Sequence, residues 1–112
     1  MVPTPACHPF LELAKNSHKQ EIRVPLKLVE DRWEMDFSLM REHIDQTGVL
    51  AISNPQNPTG RAYTEGELRN LSSLLLEKDL LILSDEIHCP LIIDETKNHI
   101  PLAKLDASLL SR

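Results

Sequence analysis

A chain of 112 residues carrying a net charge of −5 holds at most one domain with a small core, and its interspersed acids and bases offer no basic face for nucleic acid. No apolar stretch approaches the length of a membrane span, and residues 1–5 lack the basic and apolar regions of a secretion signal. Cys7 and Cys89 form no Cys-x-x-Cys pair and read as free thiols of a reducing compartment, which points to the cytoplasm.

In chain order, residues 2–5 read as the tail of an element that began earlier. Residues 9–15 read as a helix with Pro9 in its first turn and Phe10, Leu13 and Ala14 on one face. Residues 22–28 alternate as a strand, which Pro25 restricts to a sheet edge. Residues 30–34 read as a polar turn, after which Asp36 caps a short helix to about residue 45, with Phe37, Met40 and Ile44 facing inward. Residues 49–52 form a buried strand that runs into Asn54-Pro55-Gln56-Asn57-Pro58-Thr59-Gly60. Each Asn-Pro pair bars the asparagine from the helical region, and Gly60 tolerates positive φ, so this is a stiff loop presenting the Asn57 amide. Thr64 and Glu67 make a capping box for a helix through Leu68, Leu71 and Leu75 to about residue 78. Residues 80–83 form a second apolar strand, of the kind a parallel sheet covers on both faces. Strand, helix and strand make one right-handed βαβ unit. Residues 91–93 read as a short extended stretch and 102–110 as a weak helix, with no linker dividing the chain.

Two polar clusters therefore stand at the C-terminal ends of two parallel strands, the edge where open α/β sheets bind ligands. Asp85 ends an apolar strand, where a carboxylate is costly unless a cation or a backbone amide meets it. From the residue alone, a cation partner and a helix cap are both open. Asn57 is either a neutral donor to an anionic oxygen or a turn asparagine bonding its own backbone. His88 is either a donor at the same edge or a structural histidine, while Ile87 is either a ligand-packing residue or core. Asn54 and Gln56 read as loop scaffolding. His88-Cys89 is weak as a metal signal, because no spaced second pair accompanies it.

The strings at 54–60 and 85–88 (Asp-Glu-Ile-His) resemble those of the pyridoxal-phosphate enzymes of the aspartate-aminotransferase fold (fold type I, aminotransferase class I/II). The likeness is greatest to the cystathionine β-lyase-type carbon–sulfur lyases and their aminotransferase relatives. It spans nearly the whole chain and places it in the middle of such an enzyme, as one partial domain over 1–112 truncated at both ends. It implies a three-layer α/β/α architecture with a mostly parallel sheet, the partial large, cofactor-binding domain of an aminotransferase-like fold. It also implies pyridoxal 5'-phosphate as cofactor, a small amino-acid substrate, a homo-oligomer, and neither nucleic acid nor membrane as partner. Carried over by position, Asp85 holds the proton on the pyridine nitrogen and Asn57 donates to the phenolic oxygen. His88 approaches that oxygen, and Ile87 packs on one face of the ring.

The chain departs from the family at several places. The covalent lysine is absent; Lys97 and Lys104 stand in the wrong context. The upstream glycine-containing phosphate loop and the downstream carboxylate-binding arginine are also absent. Cys7 stands where a stacking tyrosine is usual, and Pro90 where relatives often carry aspartate. Two readings follow: a segment of a lyase or aminotransferase, inactive by itself, or a non-catalytic α/β fragment acting as an interaction module.

Overall fold

The computed structural model describes residues 1–105 and 109. Its elements are β1 (Val2–Thr4), α1 (His8–Asn16), β2 (Arg23–Pro25), β3 (Lys27–Val29), β4 (Arg32–Glu34), α2 (Phe37–His43), β5 (Val49–Ser53), α3 (Glu65–Glu77), β6 (Leu81–Asp85) and α4 (Leu102–Leu105). Single 3-10 turns follow α2 (Ile44–Gln46) and β6 (Cys89–Leu91).

The expected βαβ unit is present. β5 and β6 are parallel neighbours, in register from Val49 opposite Leu81 to Ser53 opposite Asp85, with α3 as the crossover. A second parallel pair was not read from the sequence: residues 2–4 are strand β1 rather than a tail, and they pair with β2 across α1. Met1 links the two pairs. Its amino group donates to the Val49 carbonyl at 2.7 Å, and its carbonyl accepts from the Ala51 amide at 3.0 Å, the alternation of a parallel ladder.

Two further expectations are corrected. Residues 30–34 are not one polar turn, because Arg32–Glu34 pairs antiparallel with Lys27–Val29. Glu30 and Asp31 both take positive φ (46° and 62°), the backbone that a two-residue hairpin needs to match strand twist. Leu91 closes a 3-10 turn rather than opening an extended run; the chain extends only from Ile92. The helix expected over 102–110 is described over Leu102–Leu105, and residues 106–108 and 110 lie outside the described residues.

The helices stop and start for local reasons. Asp36 accepts from the Leu39 amide at 3.0 Å, and Thr64 and Glu67 close both halves of the capping box. α1 and α3 end on left-handed residues, His18 (φ 53°) and Asp79 (φ 53°). Beyond each, the next amide reaches back, Lys19 to the Ala14 carbonyl at 2.8 Å and Leu80 to the Leu75 carbonyl at 3.1 Å. Leu80 and Leu75 are both buried, so the α3 stop also pins the start of β6 into the core.

Side chains of β5 alternate between two clusters. Leu50 and Ile52 join Met40, Leu68, Leu71, Leu74 and Leu75 in the main core, while Ala51 packs with Val2 and Phe10 beside α1. Helices thus cover β5 from opposite faces. β6 is covered on one face only: Ile82 packs on the main core, but Leu81 is 54% and Leu83 39% exposed. The two-sided burial expected of residues 80–83 does not hold, because the cluster beside α1 takes in Val2 and Ala51 but no residue of β6.

Candidate functional site

The loop after β5 is held from within. Asn54 is 1% exposed; its Oδ1 accepts from the Tyr63 amide at 3.1 Å and its Nδ2 donates to the Ile100 carbonyl at 3.2 Å. The Asn54 backbone amide donates to the Asp85 carbonyl at 2.9 Å, joining this loop to the end of β6. Gln56, also buried, donates to the Pro5 carbonyl and accepts from both the amide and the hydroxyl of Thr59. Gly60 takes φ 73°, and its amide returns to the Gln56 carbonyl at 2.7 Å. Both Asn-Pro bonds, and Thr4-Pro5, are cis. Asn54 and Gln56 are scaffolding, as expected.

The exit of the loop is clamped to α3. Arg61 makes a bidentate pair with Glu67, both bonds at 2.7 Å, donates to the Trp33 carbonyl, and stacks its guanidinium 5.5 Å from the Tyr63 ring centre. Burial by itself would raise the Glu67 carboxyl, but the bonds from Arg61 and Thr64 outweigh it and hold that carboxyl below its ordinary range. Burial pushes the Tyr63 hydroxyl well above its ordinary range.

The four residues singled out from the sequence stand at one edge. Ser53 lies opposite Asp85, and its Oγ accepts from the Asn57 amide at 3.0 Å, so register and loop bring Asn57 to the strand end that carries Asp85. The Asn57 side-chain amide takes no partner among the described residues. One Asp85 oxygen accepts from the Ile87 amide at 3.0 Å and the other takes no hydrogen bond among the described residues, so its role as a backbone partner is realised and half its capacity remains. Ile87 is 74% exposed, which removes the core reading for it. His88 is half-buried at the head of the 3-10 turn. No hydrogen bond joins Asn57, Asp85 and His88 among the described residues, and the open cleft of about 720 Å³ between Trp33, Arg61, Tyr63 and residues 91–98 is lined by none of them.

Sequence reasoning missed Glu86 and His99. Their side chains meet at 2.9 Å, and Glu86 also accepts from Ser84 Oγ and the Leu102 amide. The available signal was an acid next to Asp85, turned to the other side of the chain by strand alternation and in need of a partner. Which of the five histidines answers it depends on the path of the loop.

At this edge one Asp85 carboxylate oxygen and the neutral Asn57 side-chain amide keep unused hydrogen-bonding capacity among the described residues. A carboxylate can meet a cation and a neutral amide can donate without adding charge, and the exposed Ile87 adds apolar surface beside them. The family model for aminotransferase class I and II matches residues 1–109. A cystathionine beta-lyase of Corynebacterium glutamicum is 35% identical over 86% of this chain and 25% of its own length. An aspartate aminotransferase of Bacillus subtilis (strain 168) is 34% identical over 97% of this chain and 28% of its own. The solved structure of the pyridoxal-phosphate-bound C-S lyase from Staphylococcus hominis superposes with a TM-score of 0.87 at 34% identity, over 93% of this chain and 27% of that one. The chain therefore spans about a quarter of the length of these relatives.

Proposed function

The chain belongs to the family of class I and II aminotransferases, and on that premise we propose that it supplies the cofactor-holding edge of a pyridoxal-phosphate-dependent C–S β-lyase or aminotransferase acting on amino acids. The observation that carries this reading is the convergence of Asn57 and Asp85 on one sheet edge, each with unused hydrogen-bonding capacity. Pyridoxal phosphate, when bound, supplies an electron sink for charge developing on an amino-acid carbon. Asp85 would hold the proton on the pyridine nitrogen, as a carboxylate at the end of a strand can do for a cation. Asn57 would donate to the phenolic oxygen without adding charge. Ile87 would cover one ring face, with the His88 imidazole near the phenolic oxygen. The half-buried free thiols Cys7 and Cys89 support a cytoplasmic setting.

Binding by this chain alone should be weak. A charge-assisted contact contributes about 1.5–3 kcal/mol and a neutral one about 1 kcal/mol. Their sum corresponds to affinity of roughly millimolar order rather than the about 8 kcal/mol of micromolar binding. Cys7 offers no aromatic face, and no lysine here stands in the context of a covalent anchor; Lys97 and Lys104 are exposed. The 112-residue chain is therefore expected to release no pyruvate or ammonia from cystathionine, cysteine or simple amino acids. The second reading, a non-catalytic α/β fragment, draws on the Asp85–Ile87 bond, which a purely structural aspartate also makes.

Nuclear magnetic resonance separates the two. Titrating the labelled chain with pyridoxal phosphate should shift the Asn57 side-chain amide and the backbone amides of Asp85 and Ile87. Shifts confined to residues around the Trp33 cleft, or to lysine adducts, would reject the cofactor edge.

A further inference from the structure

Residues 99–102 lie across the ends of both β5 and β6 and are held at three points. The Ile100 carbonyl accepts from Asn54 Nδ2 at 3.2 Å, the Leu102 amide donates to Glu86 Oε1 at 3.2 Å, and His99 Nε2 meets Glu86 Oε2 at 2.9 Å. Glu86 Oε1 also accepts from Ser84 Oγ at 3.0 Å, so three groups fix its carboxylate. The His99 side chain is 13% exposed, and its Nδ1 is buried without a partner, so Glu86 is the hydrogen-bond partner of that ring.

We propose that Glu86 and His99 are positioning residues that set the direction of the Asp85 carboxylate. Neighbouring residues at a strand end project to opposite sides. Pinning Glu86 toward His99 therefore commits Asp85 to the other side, where its Oδ1 takes the Ile87 amide and its second oxygen stays available. The same segment grips Asn54, whose backbone holds the Asp85 carbonyl, so one clasp registers both loops of the candidate edge. The purpose of the clasp rests on the cofactor reading above; its geometry does not.

The test uses the labelled 112-residue chain and pyridoxamine 5'-phosphate, whose amine forms no adducts with surface lysines. His99→Phe keeps the ring volume and removes the donor, whereas His99→Gln places an N–H where Nε2 stands. His99→Phe should move the Ile87 amide resonance and weaken pyridoxamine phosphate binding by roughly three- to tenfold, and His99→Gln should restore both. A folded His99→Phe chain with an unmoved Ile87 resonance overturns the proposal, as does a His99→Gln chain that behaves like His99→Phe. If His99→Phe does not fold, Glu86→Gln is judged by the same two readings. If the unsubstituted chain does not bind the probe, the cofactor reading fails, and the Ile87 resonance still decides the clasp.

Discussion

Asp85 and Glu86 are adjacent acids with opposite surroundings. Glu86 is closed in by a hydroxyl, an amide and an imidazole, whereas Asp85 spends one oxygen on a neighbouring amide and keeps the other. In a complete enzyme carrying this sequence, Asp85→Ala should abolish turnover, because Asp85 is the carboxylate proposed to hold the proton on the pyridine nitrogen. Asn57→Ala removes one neutral donor and should lower kcat/KM by roughly fivefold, about 1 kcal/mol. Steady-state kinetics of the two variants checks the order. The Arg61–Glu67 clamp gives a pH prediction. The Glu67 carboxyl is held below its ordinary 4.5, so its contribution is complete above that value and disappears as pH falls through the lower folded-state value. Acid unfolding should therefore be less steep in Glu67→Gln, which should also be about 2 kcal/mol less stable at neutral pH by urea titration. The strand-end position of Asp85 and the loop position of Asn57 were legible from local turn and strand chemistry, whereas the cofactor roles proposed for them came from the resemblance of their strings to a family. The Glu86–His99 pair was not, since nothing local in an Asn-His-Ile-Pro stretch says which acid it will meet.

At the scale of elements, what could be read was whatever had local chemistry. The capping box at Thr64, the cap at Asp36 and the leucine spacing of α3 are where the residues put them. Thr64→Ala should cost about 1 kcal/mol, and Leu71→Ala, fully buried in the core, about 2–5 kcal/mol in thermal or urea unfolding. The β3–β4 hairpin escaped because its turn is Glu30-Asp31 rather than the Asn-Gly that usually marks positive φ at both positions. A left-handed L-residue costs roughly 1–2 kcal/mol, so Asp31→Gly should stabilise the chain by about 1 kcal/mol, and a lowered melting temperature would contradict that. Strand β1 escaped because residues 2–5 read as the tail of an element that began earlier. It is a strand because Arg23–Pro25 and the Met1 contacts to β5 supply its partners, which no local pattern encodes.

At the scale of the whole molecule, a parallel α/β arrangement follows from two crossover helices, but its cover is uneven. Val49, Leu81 and Leu83 leave an apolar stripe at 42%, 54% and 39% exposure on one sheet face, and Ile87, Leu91 and Ile93 extend apolar surface beyond the strand ends. Apolar surface of this kind seeks a partner. The chain is expected to self-associate, and Leu81→Lys with Leu83→Lys should shift sedimentation toward monomer; a monodisperse unsubstituted monomer would argue against it. One sheet edge is the premise on which everything functional here depends, and a single titration probes it. Pyridoxal phosphate is added to the 112-residue chain and to Asp85→Ala in parallel, followed by absorbance or fluorescence. Half-saturation at roughly 1–15 mM in the unsubstituted chain, weakened by roughly tenfold or more in Asp85→Ala, is the expected result. Equal binding by the two chains would remove Asp85 from the site and leave the family membership as a statement of ancestry.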